Sequence, residues 1–204
     1  MTTIEYAYPD AGARYDDAYV VDPVFRAAET LGVRRILDVG CGNGALAARL
    51  AAKGYDVTGI DPSDSGIAVA TQSVPGARFF RQSVEDDLGA LDPAGYDLVV
   101  AVEVVEHLPL PRLLPRLARR ALRPGGHLLL TTPYHGYLKN LVISLTNGWD
   151  AHLDPLWDGG HIKFWSERTL RAMLSSEQFD VRRVTGAGRL PFLWKSVVVL
   201  SERR

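Results

Sequence analysis

The stretch Ile36–Gly44, ILDVGCGNG, joins an apolar run to three glycines that fall within five positions. The apolar part predicts a buried β-strand. Glycine loses more conformational entropy on folding than any other residue. Three glycines in one turn therefore indicate that the turn needs either space or an unusual backbone conformation. A glycine-rich turn between a strand and a helix brings a ligand close to backbone N–H groups and to the positive end of the helix. The stretch therefore predicts a strand–turn–helix unit that binds a ligand.

Apolar runs and helical patterns alternate on the C-terminal side of this turn. An Ala- and Leu-rich segment, Asn43–Gly54, predicts the first helix, ended by a glycine cap. Further strands are expected at Tyr55–Asp61, Ala77–Ser83, Tyr96–Leu108, Gly125–Pro133, Asp180–Gly188 and Lys195–Glu202, with helices at Ser63–Val74, from Pro111 to Leu122 and at Ser166–Phe179. This alternation predicts an α/β fold with a parallel sheet between helices, in which ligands bind at the carboxyl ends of the strands.

Composition narrows the class of protein. The 204 residues favour a single domain, 1–204, and the formal net charge of -1 argues against nucleic acid as a partner. The only cysteine, Cys41, excludes an intramolecular disulfide and a Cys-based zinc site. The N-terminus lacks the pattern of a signal peptide, and no apolar run is long enough to span a membrane. We therefore expect a cytoplasmic protein without membrane partners.

Two acidic residues suggest the kind of ligand. Asp38 stands two residues before Gly40, where its charge would repel the pyrophosphate of a dinucleotide such as NAD. Its charge suits a ligand that carries an ammonium and a sulfonium group. Asp61 ends the next expected strand, 17 residues after Gly44, where a carboxylate can accept hydrogen bonds from both hydroxyls of a ribose. Together they favour a cationic nucleoside that bears an amino acid.

Four motifs extend this interpretation: LDVGCGNG, GIDPS, YDLVVAVEVVEHL and LRPGGHLLLTTP. Together they resemble the class I S-adenosylmethionine (SAM)-dependent methyltransferases, in the branch of the ubiquinone-biosynthesis O-methyltransferases and other small-molecule enzymes. The resemblance is strong from Ile36 to Pro133. It implies a Rossmann-like sandwich with a seven-stranded, mostly parallel sheet, an antiparallel last strand and helices on both faces. It also implies SAM as cofactor and S-adenosylhomocysteine (SAH) as product.

The resemblance implies a cofactor site as well. Asp38 and Gly40 would lie at the methionine amine and carboxylate, and Asp61 at the ribose. Ser83, Val84 and Glu85 would border the adenine, although Ser83 stands where the family often has an aspartate. Val102 and Glu103 would line the methionine and methyl-donor side. The N-terminal segment, residues 1–33, would fold over the cofactor. The complete expected set is Tyr15, Asp38, Gly40, Gly42, Asp61, Pro62, Ser83, Val84, Glu85, Val102 and Glu103.

The segment between the fifth strand and the next helix, residues 134–165, is long for a connection and rich in aromatic residues. Such a segment is typical of a small-molecule pocket, although its aromatics could simply pack on the sheet edge. We expect O-methylation of a small organic substrate, with His135 or His161 as general base. N-methylation of a small amine and an inactive, cofactor-binding partner subunit stay open, as does the oligomeric state.

No metal site is assigned from the sequence. Acidic and histidine side chains are frequent in residues 134–165, but their spacing matches no metal-binding pattern. The residues concerned are His135, His152, Asp154, Asp158 and His161. Glu106 and His107, which follow the fourth strand, are interpreted as structural residues that pack the first turn after the sheet.

Overall fold

The computed structural model describes residues 7, 8, 10, 12, 18–86 and 94–204. Tyr15, which the sequence analysis places over the cofactor, lies outside them. The strands are β1 (Arg35–Val39), β2 (Asp56–Asp61), β3 (Arg78–Arg81), β4 (Tyr96–Val102), β5 (Leu122–Pro133), β6 (Phe179–Ala187) and β7 (Ser196–Arg203). The helices are α1 (Ala18–Leu31), α2 (Ala45–Ala52), α3 (Asp64–Ser73), α4 (Leu113–Ala121), α5 (Tyr137–Leu145), α6 (Trp149–Leu153) and α7 (Glu167–Ser176). A short 3₁₀ helix, Val105–His107, follows β4.

The strands form one seven-stranded sheet in the order β3-β2-β1-β4-β5-β7-β6. Strands β1 to β5 are parallel, and β7 runs antiparallel to both of its neighbours, β5 and β6. This arrangement confirms the expected sheet with an antiparallel last strand. The carboxyl ends of β1 to β5 meet at one edge of the sheet, which we call the carboxyl edge. The glycine turn follows β1 at this edge.

Alternation along the strands divides the core into two apolar clusters. Because successive side chains of a strand point to opposite faces, Leu37 joins one cluster and Ile36 the other. The first cluster packs beneath α4 and α7, through residues such as Leu114 and Leu170. The second packs beneath α1 and α2, through residues that include Val24, Ala28 and Leu50. The helices therefore cover both faces, as the apolar strands predict.

Helix ends agree with the capping signals in the sequence. The Ser63 side chain caps α3 by accepting a hydrogen bond from the backbone N–H of Gly66. Ser166 and Thr169 form a reciprocal capping box at the start of α7. Gly54, just past the end of α2, takes the left-handed conformation of a helix C-terminus, with a φ of +89°.

Helix α1 was not predicted. Its buried residues, which include Val20, Val24 and Ala28, follow helical spacing, but Pro23 lies inside the helix. Proline normally ends or kinks a helix, so it hid this pattern. The long segment after β5 contains two helices, α5 and α6. No helix in residues 18–86 and 94–204 is both long and apolar enough to cross a membrane.

Candidate active site

The glycine turn after β1 has a backbone that only glycine adopts easily. Gly40, Gly42 and Gly44 have φ angles of +75°, +51° and +80°. Space is short as well: a Cβ atom on Gly40 would lie 2.5 Å from a methyl carbon of Val104, and one on Gly42 would lie 2.7 Å from the Tyr8 hydroxyl oxygen. Both reasons for glycine given by the sequence, conformation and close approach, therefore apply here.

Asp61, at the end of β2, stabilises this turn through hydrogen bonds. One of its carboxylate oxygens accepts a hydrogen bond from the backbone N–H of Gly42 at 2.9 Å, and the other accepts one from Ser63 at 2.8 Å. Burial raises the pKa of Asp61, and the two backbone N–H groups act in the opposite direction. Each oxygen keeps a second lone pair, so the carboxylate can still accept hydrogen bonds from hydroxyl groups of a ligand.

Asp38 carries a buried carboxyl group that lacks a hydrogen-bond partner at one oxygen atom. It is 2% exposed, and its Oδ2 atom forms no hydrogen bond in the described part of the chain. Burial, followed by the charge of Asp61, raises the pKa of Asp38 to about 7. A buried polar group without a partner is costly unless a ligand satisfies it. An ammonium group beside the glycine turn would supply both the hydrogen bond and the opposite charge, so this site fits the amino group of SAM.

The described residues of the N-terminal segment lie against the same turn. The backbone N–H of Tyr8 donates to the Ser65 hydroxyl at 3.1 Å, and the Tyr8 ring lies over Gly42. The Asn43 side-chain amide donates to the carbonyl oxygens of Asp10 and Gly12, both at 2.8 Å. These contacts bring Tyr8, Asp10 and Gly12 beside the glycine turn. Sequence reasoning missed Tyr8, because a tyrosine in an irregular segment carries no positional signal.

The residues expected near the adenine form a turn after β3. The Asp86 carboxylate accepts a hydrogen bond from the backbone N–H of Ser83 at 2.7 Å. Val84 packs against the first apolar cluster, and Glu85 is exposed. Pro62 is also exposed. These residues follow β3 and β2 at the carboxyl edge, where a cofactor bound at Asp38 and Asp61 can extend.

Val102 and Glu103 lie at the end of β4, next to the glycine turn. Glu103 has a φ of +54°, which is unusual for a residue with a side chain. Thr131, on β5, holds it there: the threonine hydroxyl oxygen lies 3.0 Å from the Glu103 backbone nitrogen and 2.7 Å from a carboxylate oxygen. Backbone strain of this kind persists where the surroundings fix it, and it is common at functional sites.

The two candidate bases lie in neighbouring groups of aromatic rings. The His135 ring makes edge contacts with Phe164, at 4.9 Å between centroids, and with His152, at 5.5 Å. The His161 ring contacts His107 at 4.9 Å and Trp157 at 5.5 Å. Burial, aided by nearby cationic groups, lowers the pKa of both His135 and His161 to about 4. Both imidazoles are therefore neutral near pH 7 and able to accept a proton.

Helix α5 buries a lysine and exposes apolar side chains, which is the reverse of a usual amphipathic helix. Its one buried residue is Lys139, whose ammonium nitrogen lies 3.5 Å from the carbonyl oxygen of Lys195. Burial, followed by the charge of Arg189, lowers the pKa of Lys139 to about 8, whereas Glu103 acts in the opposite direction. The apolar residues of the helix are exposed instead: Tyr137, Leu138, Leu141, Val142 and Leu145.

A cavity of about 320 Å³ opens beside His135, away from the glycine turn. Its wall includes three large aromatic side chains, Tyr134, Trp165 and Trp194. The indole N–H of Trp165 is buried and has no hydrogen-bond partner in residues 18–86 and 94–204. Polar and charged residues, among them Ser166, Glu167 and Arg168, also line the cavity, which is separate from the cofactor residues.

Within the described residues, one group of three side chains is close enough together to hold a metal ion: Glu106, His107 and His161. Only His161 belongs to the histidines and aspartates considered from the sequence. Sequence reasoning treated Glu106 and His107 as packing residues. The spacing Glu-x-x-Glu-His at the end of β4 was the available signal, but His161, which completes the group, lies more than 50 residues away.

A family model described as a methyltransferase domain matches residues 13–184. The ubiquinone biosynthesis O-methyltransferase of Alkalilimnicola ehrlichii is 36% identical over 150 residues, which are 66% of this chain and 61% of that protein. The enzyme of the same name from Aliivibrio fischeri strain MJ11 is 30% identical over 167 residues, covering 80% of this chain and 71% of the relative. The chain thus spans less than two thirds of the first of these proteins.

Solved structures share the fold. Magnesium protoporphyrin IX methyltransferase from Synechocystis, crystallised with bound SAH, superposes with a TM-score of 0.68 and 21% identity, covering 91% of this chain and 82% of that one. A SAM-dependent methyltransferase from Clostridium acetobutylicum has a TM-score of 0.70 at 12% identity, covering 93% of both chains. At these identities the similarity concerns the arrangement of the sheet and helices.

Proposed function

Since the chain belongs to the methyltransferase-domain family of class I, SAM-dependent enzymes, we propose that it methylates an oxygen atom of a small organic acceptor. When bound, SAM supplies a methyl group that is already activated on a positively charged sulfur. The protein therefore has two tasks: to hold donor and acceptor in line, and to manage the proton of the acceptor hydroxyl.

The observation that carries the proposal is the Asp38 carboxyl group. It is buried beside the glycine turn with an oxygen atom that has no hydrogen-bond partner among the described residues. An ammonium satisfies this oxygen, whereas the phosphates of NAD would be repelled by it. Asp61 can accept hydrogen bonds from ribose hydroxyls while it fixes Gly42, and Val102 and Glu103 then lie toward the methyl group. We assign the turn at Ser83, Val84 and Glu85 to the adenine.

Oxygen is favoured as the acceptor atom by two observations. The curated relatives that match at 36% and 30% identity are both named O-methyltransferases. In addition, His135 follows the carboxyl end of β5 and is neutral near pH 7, as a base that removes a hydroxyl proton must be. We place His135 first and His161 second as general base. N-methylation would differ because an unprotonated amine can attack the methyl group without a general base.

The acceptor is proposed to be a small molecule held by residues 134–165 rather than a nucleic acid. The formal net charge of -1 provides no basic excess for phosphate binding. The lone cysteine, Cys41, is buried, and burial raises the pKa of its thiol, so it does not act as a nucleophile. A single reduced cysteine supports the cytoplasm as the compartment in which the protein works.

Incubation with methyl-labelled SAM and a panel of phenols, sugars and amines tests the proposal. We expect label in a phenol or another hydroxyl compound, and a loss of transfer in Asp38→Asn. Asp56→Asn, at the exposed start of β2, is the matched control and should transfer at the wild-type rate. Label found only in amines would make the protein an N-methyltransferase. SAH binding without transfer to any acceptor would favour an inactive partner subunit.

A further inference from the structure

We propose that the ammonium group of Lys139, with the guanidinium of Arg189 near it, binds a negatively charged group of the acceptor. The acceptor is then an anionic hydroxy compound, such as a hydroxy acid or a hydroxylated phosphate ester. This inference rests on the proposed function, since it names the class of molecule that receives the methyl group. It gives the inward-facing residue of α5 a role in binding.

Lys139 carries a buried positive charge that lacks a counter-charge. Its side chain belongs to a residue that is 7% exposed, and none of the ion pairs formed by the described residues includes it. Its one hydrogen bond among those residues is a long one, 3.5 Å, to the carbonyl oxygen of Lys195. An ammonium has three N–H donors, so two of them are left for a ligand. A buried charge of this kind is costly unless an opposite charge meets it.

Packing does not explain the inward orientation of Lys139. The lysine is the one buried residue of α5, whereas its leucines are exposed or partly exposed. A helix that served only to cover the sheet would bury its apolar face instead. The carbonyl oxygen of Lys195 does not require the lysine either, because it already accepts a hydrogen bond from the backbone N–H of Tyr134 at 2.9 Å. A negatively charged ligand accounts for the buried ammonium.

The charged groups around Lys139 leave an excess of positive charge near pH 7. Burial is the main reason that the pKa of Lys139 is lowered to about 8, so the ammonium form still predominates at pH 7. Arg189, on the loop between β6 and β7, adds a second positive charge, and Glu103 is the acidic group that opposes both. Burial also lowers the pKa of the neighbouring imidazoles, which are therefore mostly neutral: His135, His152 and His161. Two cations against one carboxylate favour the binding of one more negative charge.

The neighbours of Lys139 place its ammonium group at the carboxyl edge. Lys195 directly precedes β7, whose first residue, Ser196, pairs with Pro133 at the end of β5. Glu103 directly follows the end of β4, the strand next to β5. Lys139 contacts Lys195 and is affected by the charge of Glu103, so it lies over the ends of these two strands. An anion held there brings the acceptor to the strand end at which SAM is proposed to present its methyl group.

The acceptor, rather than SAM, is the anion that fits this position. SAM also carries a carboxylate, but the family resemblance places that group at the glycine turn, beside Gly40. Lys139 instead lies in residues 134–165, which are proposed to hold the acceptor. The Phe164 ring, 4.9 Å from the His135 ring, offers apolar surface to the rest of such a molecule in the same segment. A charged group and an apolar body are thus both provided for.

Calorimetric titrations with benzoate, phenyl phosphate and benzamide test the site, each with and without SAH, because these probes share a ring and differ in charge. We expect the wild type to bind an anionic probe but not benzamide. Tighter binding of benzoate would indicate a carboxylic acid as acceptor, and tighter binding of phenyl phosphate a phosphate ester. Lys139→Met should weaken anion binding about tenfold or more. Arg189→Gln should weaken it about two- to fivefold, since Arg189 is exposed. Lys53→Met, at the exposed end of α2, is the matched control and should bind as the wild type does.

SAH binding separates this proposal from the proposed function. If the wild type binds SAH but neither anion, or binds benzoate and benzamide equally, the anion site is wrong and the proposed function stands. Wild-type anion affinity in Lys139→Met would also overturn the site. An equal loss of SAH affinity in that variant would assign Lys139 to the carboxylate of the cofactor and overturn it too. If the wild type binds an anion through Lys139 but does not bind SAH, the anion site stands and the proposed function fails.

Thermal melting distinguishes binding from a structural role of Lys139. Because Lys139→Met removes a buried charge that lacks a counter-charge, its melting temperature without anion should equal or exceed that of the wild type. Benzoate or phenyl phosphate should then raise the melting temperature of the wild type more than that of Lys139→Met. A clearly lower melting temperature in Lys139→Met would make the lysine a structural residue and contradict the proposal.

Discussion

At the glycine turn, Asp61 accepts hydrogen bonds from two backbone N–H groups, and the Tyr8 side chain packs against Gly42. In residues 134–165, by contrast, α5 turns Lys139 inward and leaves its apolar side chains exposed. The first region is fixed by the backbone, whereas the second is a layer of rings and cationic groups over the ends of β4 and β5. Both regions lie at the carboxyl edge of one sheet.

The contrast fits the proposed function, in which the first region binds the cofactor and the second binds the acceptor. A nucleoside with an amino-acid tail needs the same few contacts in any protein, and backbone groups and carboxylates beside a glycine turn supply them. An acceptor differs from one enzyme to another, so side chains in a longer segment must recognise it. We therefore expect substitutions in the first region to change cofactor affinity, and substitutions in the second to change the rate of methyl transfer.

The largest expected effect lies in the second region. His135→Gln should slow single-turnover methyl transfer by about a hundred- to ten-thousandfold, because removal of a general base has this cost. SAH affinity should stay unchanged. Since the pKa of His135 is lowered to about 4, the wild-type rate should be flat with respect to this group from pH 6 to 9 and fall as the pH drops through 4. His127→Gln is the control, and a wild-type rate in His135→Gln would remove His135 from the mechanism.

The next effect lies in the first region. Gly42→Val should weaken SAH binding about thirtyfold or more. A Cβ atom there would lie 2.7 Å from the Tyr8 hydroxyl oxygen, so a branched side chain must displace the turn that is proposed to hold the cofactor. Gly54→Val is matched to it: Gly54 also has a positive φ, but a Cβ atom there would meet no described atom within 4 Å. It should lower the melting temperature and leave SAH affinity intact. Equal calorimetric affinities for both variants would contradict the close-approach argument.

Asp61→Ala should weaken SAH binding by about tenfold or more. The change removes charge-assisted hydrogen bonds, each worth roughly 1.5–3 kcal/mol, and frees the N–H of Gly42. Asp56→Ala is the control on the same strand, since Asp56 is exposed and pairs with Arg78 at 3.1 Å. Calorimetry on the two variants would show no difference if Asp61 faced away from the ribose.

The smallest effect is a dependence on pH. The pKa of Asp38 is raised to about 7, and the carboxylate form pairs with an ammonium, so SAH affinity should fall as the pH drops through 7. The charged fraction of such a group decreases about threefold between pH 7.5 and 6.5, and the affinity should follow it. In Asp38→Asn this dependence should disappear. Its persistence in that variant would show that another group titrates.

Much of the first region was predictable because its signals are local. Three glycines, Asp38 and Asp61 fall within 24 residues, and each lies near or just after the end of a strand that its own apolar pattern predicts. The capping by Ser63 and Ser166 followed from the same patterns, and the seven-stranded sheet with an antiparallel β7 followed from the family resemblance. Only the irregular N-terminal contacts, such as that of Tyr8 with Gly42, carried no signal in the sequence.

The second region was less predictable because its contacts are distant in sequence. His107 and His161 meet only because residues 162 and 163 bind the backbone of Glu106. The burial of Lys139 reverses what its helix would suggest, since an amphipathic helix normally buries its apolar face. Helix α1 was hidden for a different reason, which is the proline at position 23. Tertiary contacts, not local propensity, decide the meeting of the two histidines and the burial of Lys139.

The most direct test of the central claim is a calorimetric titration of the wild type with SAH and with NAD, repeated on Asp38→Asn. The claim is that the buried carboxyl group of Asp38 makes the glycine turn a site for an ammonium-bearing nucleoside. We predict that the wild type binds one SAH per chain and does not bind NAD, and that Asp38→Asn binds SAH about tenfold more weakly or worse. Binding of NAD without SAH, or an unchanged SAH affinity in Asp38→Asn, would contradict it.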